Sequence, residues 1–164
     1  MQSVVKEALR VYGRVRVITR RVADGTVLTD TGWLPNQITY YAANALAAWL
    51  TGTINRGPQG VHFPHYMELG TGSGTPSPSD TALFNGVSAT STPCSQLSVA
   101  NDTPNSPIWT AVWGGANAGN IAGAYSEVGL FDADGHLWAH LAGLTIEVST
   151  STSTTVQWQW TITV

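Results

Sequence analysis

The sequence EVGLFDADGHLWAHLAGL, from Glu127 to Leu144, decides the fold. An apolar run over residues 124–131 ends at the turn Asp132-Ala-Asp-Gly135, and a second apolar run follows from His136 to Leu144. Two apolar runs joined by a short turn of Asp and Gly predict a β-hairpin. Gly135 is the natural residue for the left-handed position of a type I turn followed by a bulge.

Two further segments alternate between apolar and polar residues. From Val156 to Val164 one side of the chain carries Gln and Thr, and the other carries Val156, Trp158, Trp160, Ile162 and Val164. From Val11 to Val22 the alternation is similar, and a turn at Asp24-Gly25 joins this segment to residues 27–33. A period of two predicts half-buried strands, and the second segment begins another hairpin.

One segment between these strands has helical periodicity instead. Over residues 37–51, apolar residues recur at intervals of three or four: Ile38, Tyr41, Ala42, Ala45, Leu46, Trp49 and Leu50. Asn36 can cap the start of a helix here, and Gly52 can stop its end. The pattern predicts one amphipathic helix that packs over an open end or a face of a sheet.

The remaining signals are those of a mainly β protein. Residues 65–69, 96–99, 108–113 and 144–149 are further strand candidates, and the Ser/Thr tract 149–155 is predicted as a long turn. A chain of 164 residues suffices for one domain with a core. We therefore expect an N-terminal arm at residues 1–10 and a jelly-roll-like or Greek-key β-sandwich over residues 11–164.

The charges are few and unevenly placed. Charged residues make up 10% of the chain, and six of the seven Lys and Arg residues lie in the first 21 positions. Arg10, Arg14, Arg16 and Arg20 are therefore candidates for contact with an acidic neighbouring subunit. Arg14 and Arg16 alternate with valines, which favours the exposed face of a strand over a nucleic-acid site. No apolar run approaches the roughly 20 residues of a membrane span, so we expect no membrane insertion.

Seven tryptophans fall into two groups. Trp49, Trp158 and Trp160 lie on predicted apolar faces and belong to a core or to a subunit interface. The positions of Trp33, Trp109, Trp113 and Trp138 are less determined, and these residues are interpreted as interface anchors or as a platform that stacks on sugars. The interface candidates are accordingly Trp109, Trp113, Trp138, Trp158 and Trp160.

Several patterns suggest ligand chemistry but lack its full motif. The glycine run over residues 70–78 has no Lys-Ser/Thr pair, so it predicts a surface turn rather than a phosphate loop. Asp132 and Asp134 resemble the start of a calcium loop, but Gly143 stands where its twelfth-position Glu is needed. Turn formation by Asp is the better explanation.

No catalytic or metal-binding set emerges from the other reactive residues. The histidine pairs His62/His65 and His136/His140 have no spacing that demands a metal. Cys94 is the only cysteine and carries no nucleophile signature, and the carboxylates are scattered singly. We therefore expect no enzymatic activity, no cofactor and no metal.

The hairpin also carries a resemblance to a known family. EVGLFDADGHLWA resembles the core motif of the phage tail-collar fibre family, in which a hairpin of the form E-x-G-L-F-D-x-x-G-x-L-x-A precedes a return strand. The wider pattern resembles small phage virion proteins in four segments that occur in the same order: residues 34–52, the GTG…PSPSDTAL segment 69–83, the hairpin 127–139 and the strand 160–163.

The resemblance implies a non-enzymatic structural component of a tailed-phage virion, most directly a tail protein of the collar, tail tip, fibre or adaptor. Such a protein is expected in the virion after assembly in the host cytoplasm, as a homo-oligomer, with a trimer as the first expectation, in contact with other virion proteins. Two alternatives remain open: a capsid decoration or head-fibre protein, and a carbohydrate-binding module for host-surface glycans.

Overall fold

The computed structural model of the chain describes residues 10–50, 63–97 and 106–163. The elements in these ranges are β1 (Arg10–Arg21), β2 (Val27–Asp30), β3 (Leu34–Pro35), β4 (Gln37–Ile38), α1 (Tyr40–Leu50), β5 (Pro64–Gly70), β6 (Thr92–Pro93), β7 (Ser95–Leu97), β8 (Ile108–Gly114), β9 (Gly123–Asp132), β10 (Leu137–Val148) and β11 (Thr152–Thr163). Three single 3₁₀ turns lie at Ser88–Thr90, Gly115–Asn117 and Gly119–Ile121.

The strands form two antiparallel sheets. In sheet A the order is β2-β1-β11-β8-β7, with β3 also paired to β1, and in sheet B it is β4-β10-β9-β5-β6. The prediction of a mainly β, sandwich-like fold with one helix is confirmed for the described ranges. The finer prediction of jelly-roll or Greek-key connectivity stays a prediction.

The main core receives side chains from both sheets. Alternate residues of a strand point to the same face, and the face that each sheet turns toward the other sheet supplies the core. The core residues of the two sheets that are at most 1% exposed are Val15, Val17, Val156 and Trp158 from sheet A and Met67, Leu69, Val128, Leu130, Trp138, Ala139 and Ile146 from sheet B. The predicted inward face of the last strand is confirmed at Val156, Trp158 and Trp160.

The Ser/Thr tract is divided between a short turn and a strand. Strand β11 begins at Thr152, and its first four residues pair with residues 18–21 of β1. Thr154 and Thr19 are both buried, and their hydroxyl oxygens lie 3.0 Å apart. The Thr154 hydroxyl also donates to the Glu147 carbonyl at 2.7 Å. Here β-branched residues with internal hydroxyl partners extend the strand, so the turn is confined to residues 149–151 and is shorter than predicted.

The central hairpin is confirmed, with Gly135 at φ +85°. Sequence reasoning separated residues 144–149 as another strand, and this was wrong because β10 continues to Val148. The register against β9 shifts between Ala142 and Ile146, and Gly143 there has φ +77°. A bulge with a left-handed glycine therefore bends one long strand.

The helix is confirmed but begins later than the sequence predicts. It starts at Tyr40, and Thr39 caps it, since the Thr39 hydroxyl accepts the Ala42 amide at 3.2 Å. Asn36 lies before β4 and does not cap the helix, while Gly52 lies outside the described residues. Trp49, predicted to face the core or an interface, is 55% exposed.

The predicted N-terminal arm lies almost wholly outside the described ranges. Arg10, taken as its last residue, is instead the first residue of β1 and pairs with Thr163. The strand candidate 96–99 appears as β7, with its last two residues outside the described part of the chain.

Residues 70–85, which carry the glycine run, cover the outer face of sheet B, and we call them the covering segment. On β9, Val128 and Leu130 face the main core, whereas Phe131 belongs to a separate cluster with Leu83 and Leu137. A Cβ on Gly129 would lie 2.9 Å from Leu83 Cδ2. A glycine is therefore needed where this segment packs on the strand.

Candidate functional site

Glu127 holds the covering segment on β9 through three backbone amides. Its Oε1 accepts the amides of Gly72 at 2.9 Å and Asn85 at 2.8 Å, and its Oε2 accepts the amide of Phe84 at 3.0 Å. The side chain is fully buried. One carboxylate therefore fixes both ends of the loop between residues 72 and 85.

His140, on the neighbouring strand β10, joins Glu127 to a second carboxylate. Its Nε2 lies 2.8 Å from Glu127 Oε2, and its Nδ1 lies 2.8 Å from Asp80 Oδ2. The imidazole is fully buried, and the Phe84 ring lies 4.7 Å from it. Asp80 belongs to the covering segment, so this bridge fixes the middle of the loop to the sheet.

The electrostatics of this cluster favour an ionised Glu127. Burial alone raises the pKa of Glu127, but the hydrogen bonds from Asn85, His140, Phe84 and Gly72 outweigh burial, and the pKa lies below its usual range. We call Asp80, Glu127 and His140 the buried latch. Both ring nitrogens of His140 face carboxylates, so neither is available to accept a proton from a nucleophile, as an Asp-His-Ser type of triad requires.

The latch was missed by sequence reasoning, which treated the carboxylates as scattered singly. Asp80 lies 60 positions from His140 in the chain, and only the fold brings them together. A signal was nevertheless present, because Glu127 and His140 interrupt two apolar strand runs. A polar residue within a buried strand needs an internal partner.

A second buried carboxylate, Asp132, shapes the hairpin turn. Its Oδ1 accepts the amides of Asp134 at 3.0 Å and His136 at 2.9 Å, and its Oδ2 accepts the Tyr41 hydroxyl at 3.0 Å and the Trp138 indole at 3.2 Å. Burial raises its pKa, but these hydrogen bonds outweigh burial and leave the pKa below its usual range. Burial and the bond to Asp132 raise the pKa of Tyr41 to about 12.

The same residues are the one group of metal-ligand type in the described ranges. Ligand atoms of Asp132, Asp134 and His136 lie within 4.8 Å of one another. Both oxygens of Asp132 already accept hydrogen bonds, which supports the explanation that this Asp forms a turn. His136 contacts Asp132 while His140 belongs to the latch, so this predicted pair does not converge, and His62 of the other pair lies outside the described residues.

The glycine run places its backbone against the protein's own carboxylate. Gly72 donates its amide to Glu127, and a Cβ at this position would lie 2.4 Å from Phe84 Cβ and 2.5 Å from Glu127 Oε1. A Cβ on Gly70 would lie 2.4 Å from the same oxygen. These glycines permit close packing of the loop, and the Gly72 amide is engaged within the chain.

A pocket of about 250 Å³ opens beside the latch. Three segments meet there: the start of α1, residues 78–81 of the covering segment, and the β9–β10 turn. The Tyr41 and His136 rings stack at 4.3 Å with an angle of 15° between their planes. Its lining residues are Tyr40, Tyr41, Pro78, Ser79, Asp80, Thr81, Gly135, His136 and Leu137.

The predicted interface tryptophans lie in the core of the chain. Each of the five is at most 3% exposed: Trp109, Trp113, Trp138, Trp158 and Trp160. Several pack on one another, with Trp160 5.3 Å from Trp109 and 5.5 Å from Trp138. Their rings stabilise the fold of one chain and present no face to a partner or a sugar.

The arginines lie where the alternation predicts, on the outer face of sheet A. Arg10 and Arg14 are exposed, whereas Arg16 and Arg20 are half-buried. Arg16 Nε donates to Asp30 at 2.9 Å, and this contact lowers the pKa of Asp30 to about 2. Arg16 is therefore partly neutralised within the chain.

The rest of this outer face mixes polar, uncharged side chains with exposed apolar ones, among them Tyr12 at 52% and Val112 at 51%. Arg14 donates to the Gln159 amide oxygen at 3.2 Å, and its guanidinium lies 5.7 Å from the centre of the Trp33 ring. On the next strand, Gln157 pairs with Thr110 of β8. Hydroxyls, amides, a few cations and some exposed apolar side chains thus cover this sheet.

Comparison with protein-family models, curated proteins and solved structures found no match to the chain. Among the described residues, no helix has both the length and the apolar character needed to span a bilayer.

Proposed function

We propose that the protein is a non-enzymatic structural component of a tailed-phage virion. Its place is in the tail, as a collar, tail-tip, fibre or adaptor protein, and it acts through contacts with copies of itself and with other virion proteins. A capsid decoration or head-fibre protein is the alternative position that the same features support.

The observation that carries the proposal is the docking of two sequence motifs on each other. The GTG…PSPSDTAL segment and the EVGLFDADG hairpin are two of the four segments of the sequence resemblance, and 55 positions separate Gly72 from Glu127. In the fold they form one unit, joined by Glu127 and by the Asp80–His140 contact. Two motifs that contact each other in the fold support the resemblance more strongly than two motifs that lie apart.

The exposed surface supports a role in assembly. Helix α1 contains no charged residue, and it carries two exposed aromatic residues on opposite sides, Tyr40 at 62% and Trp49 at 55%. Phe63, 47% exposed, lies 6.2 Å from the Trp49 ring. Exposed aromatic residues of this kind are enriched at protein interfaces.

The outer face of sheet A offers a second contact surface. Arg10 and Arg14 are exposed there beside uncharged amides, which suits an acidic surface on a neighbouring subunit. We propose a homo-oligomer, with a trimer as the first expectation, in a virion assembled in the host cytoplasm.

Light scattering of the purified protein tests the oligomer. We expect a mass of about three chains and a lower mass for Arg14→Glu or Trp49→Ser, while Arg21→Glu keeps the wild-type mass because Arg21 pairs with Asp24 at the far end of its strand. A monomer at every concentration contradicts the oligomer.

Labelling of intact particles tests the location. An antibody against the protein should decorate phage tails in electron micrographs. Decoration of the head supports the alternative position, and particles without label, although the protein is present in the lysate, contradict the virion proposal.

A further inference from the structure

We propose that the pocket between α1, residues 78–81 and the β9–β10 turn binds a single uncharged sugar ring. Its volume of about 250 Å³ is below the roughly 300–1,000 Å³ of pockets for drug-sized ligands, so one ring is the appropriate size. This inference goes beyond the virion proposal and depends only on the geometry of the pocket.

The aromatic residues of the pocket provide flat surfaces for a sugar. Tyr40 is 62% exposed at the start of α1, and Tyr41 and His136 form a stacked pair in the lining. The face of an aromatic ring is electron-rich, so it attracts the C–H groups on one side of a pyranose. An exposed ring beside a stacked pair gives the ligand such a surface.

Polar groups in the same lining match the hydroxyl groups of a sugar. Asp80 Oδ2 is occupied by His140 and by the Ser77 amide, whereas Asp80 Oδ1 takes part in no hydrogen bond between described residues. Ser79 and Thr81 add hydroxyls that both donate and accept. A carboxylate oxygen with neighbouring hydroxyls binds vicinal sugar hydroxyls well.

The pocket is held in shape before any ligand arrives. The buried latch fixes Asp80 to the sheet, and Asp132 fixes both the turn and the Tyr41 hydroxyl. Because these side chains are already ordered, ligand binding causes only a small loss of conformational entropy.

The carboxylate also discriminates between possible occupants. An apolar side chain from a protein partner would leave Asp80 Oδ1 without a hydrogen bond in a closed pocket, which is unfavourable. A phosphate or an acidic sugar would be repelled by the same carboxylate. The preferred ligand is therefore a neutral hexose or an N-acetylhexosamine.

Saturation-transfer NMR on the intact protein tests whether the pocket binds a neutral sugar. The probes are glucose, galactose, rhamnose and N-acetylglucosamine, and glucuronate is the charged comparison. We expect transfer to at least one neutral sugar, with little to glucuronate. In backbone amide spectra, the signals of Ser79, Thr81 and Gly135 should shift on titration with that sugar.

Two tyrosine variants locate the site. Tyr40→Ala should weaken binding by about tenfold, the contribution expected from one stacked ring. Tyr12→Ala removes a tyrosine that is 52% exposed on sheet A and should bind like the wild type. Absence of transfer to every neutral sugar overturns the inference, and so does equal binding by both variants. Neither result affects the light-scattering and labelling tests of the virion proposal.

Discussion

Glu127 and His140 meet at 2.8 Å on adjacent strands of sheet B, and both side chains are fully buried. This contact is the centre of a latch that fixes a loop more than 40 positions earlier in the chain to the hairpin. Since a buried charge is costly without partners, the loop and the hairpin depend on each other.

Replacement of Glu127 by Gln should lower the free energy of unfolding by about 3 kcal/mol, because hydrogen bonds to a buried carboxylate are stronger than neutral ones and leaving their donors unsatisfied is costly. The amide retains the shape of the side chain but places a donor where backbone amides and His140 need an acceptor. Urea denaturation measures the change. Glu147→Gln, on the exposed side of β10, is the control and should change stability by less than about 0.5 kcal/mol. Equal effects of the two variants would contradict the latch.

Stability should fall as the solution becomes acidic. The pKa values of Glu127 and Asp132 lie below their usual range in the folded chain. Groups of this kind stabilise the fold above the unfolded pKa, about 4 for carboxyl groups, and lose that contribution as pH falls through the folded pKa. Thermal melts between pH 7 and pH 2 should show the decline below about pH 4. In Asp132→Asn the decline should be shallower, and an unchanged slope would show that Asp132 does not contribute.

Gly72→Ala should destabilise the protein by about 1–3 kcal/mol, the range for overpacking. Its Cβ would lie 2.4 Å from Phe84 Cβ and 2.8 Å from the Asn85 amide nitrogen, so the loop must move off β9. Limited proteolysis should cut the loop faster in this variant. Gly123→Ala is the matched control, because the nearest atom to its Cβ is 3.9 Å away. Similar proteolysis of both variants would argue against close packing at Gly72.

Trp158→Ala should cost about 3–5 kcal/mol, as expected for deletion of a large core side chain. Trp49→Ala should cost less than about 1 kcal/mol because the ring is 55% exposed. Chemical denaturation of the two variants compares them directly. A small loss for Trp158→Ala would mean that this ring is not a core residue.

The parts of the fold that sequence reasoning predicted correctly are those set by neighbouring residues. The period of two along the chain predicts the alternation of β11 and the outward-facing arginines next to Val15 and Val17. Turn chemistry predicts the turn with left-handed Gly135. The prediction that Asn36 caps α1 was wrong, because Thr39 stands directly before the first residue of the helix and accepts the Ala42 amide.

The candidate site was not predictable in the same way. Whether Trp109 and Trp113 face a core or a partner depends on which strands pair, and the period of a strand does not specify its neighbours. Asp80 and His140 likewise meet only because the covering segment folds back on sheet B. Long-range geometry of this kind has no local sequence signal beyond the presence of polar residues in apolar runs.

The position of β11 constrains how sheet A is made. The strand lies between β1 and β8 and pairs with β1 over twelve residues, from Arg10 with Thr163 to Arg21 with Thr152. Until β11 is synthesised, β1 and β8 each have one edge without a neighbouring strand, and this edge is open to other chains. The pairing of β1 with β11 closes a loop that contains most of the chain, and contacts this far apart in sequence form slowly. Nascent or truncated chains should therefore be prone to aggregate.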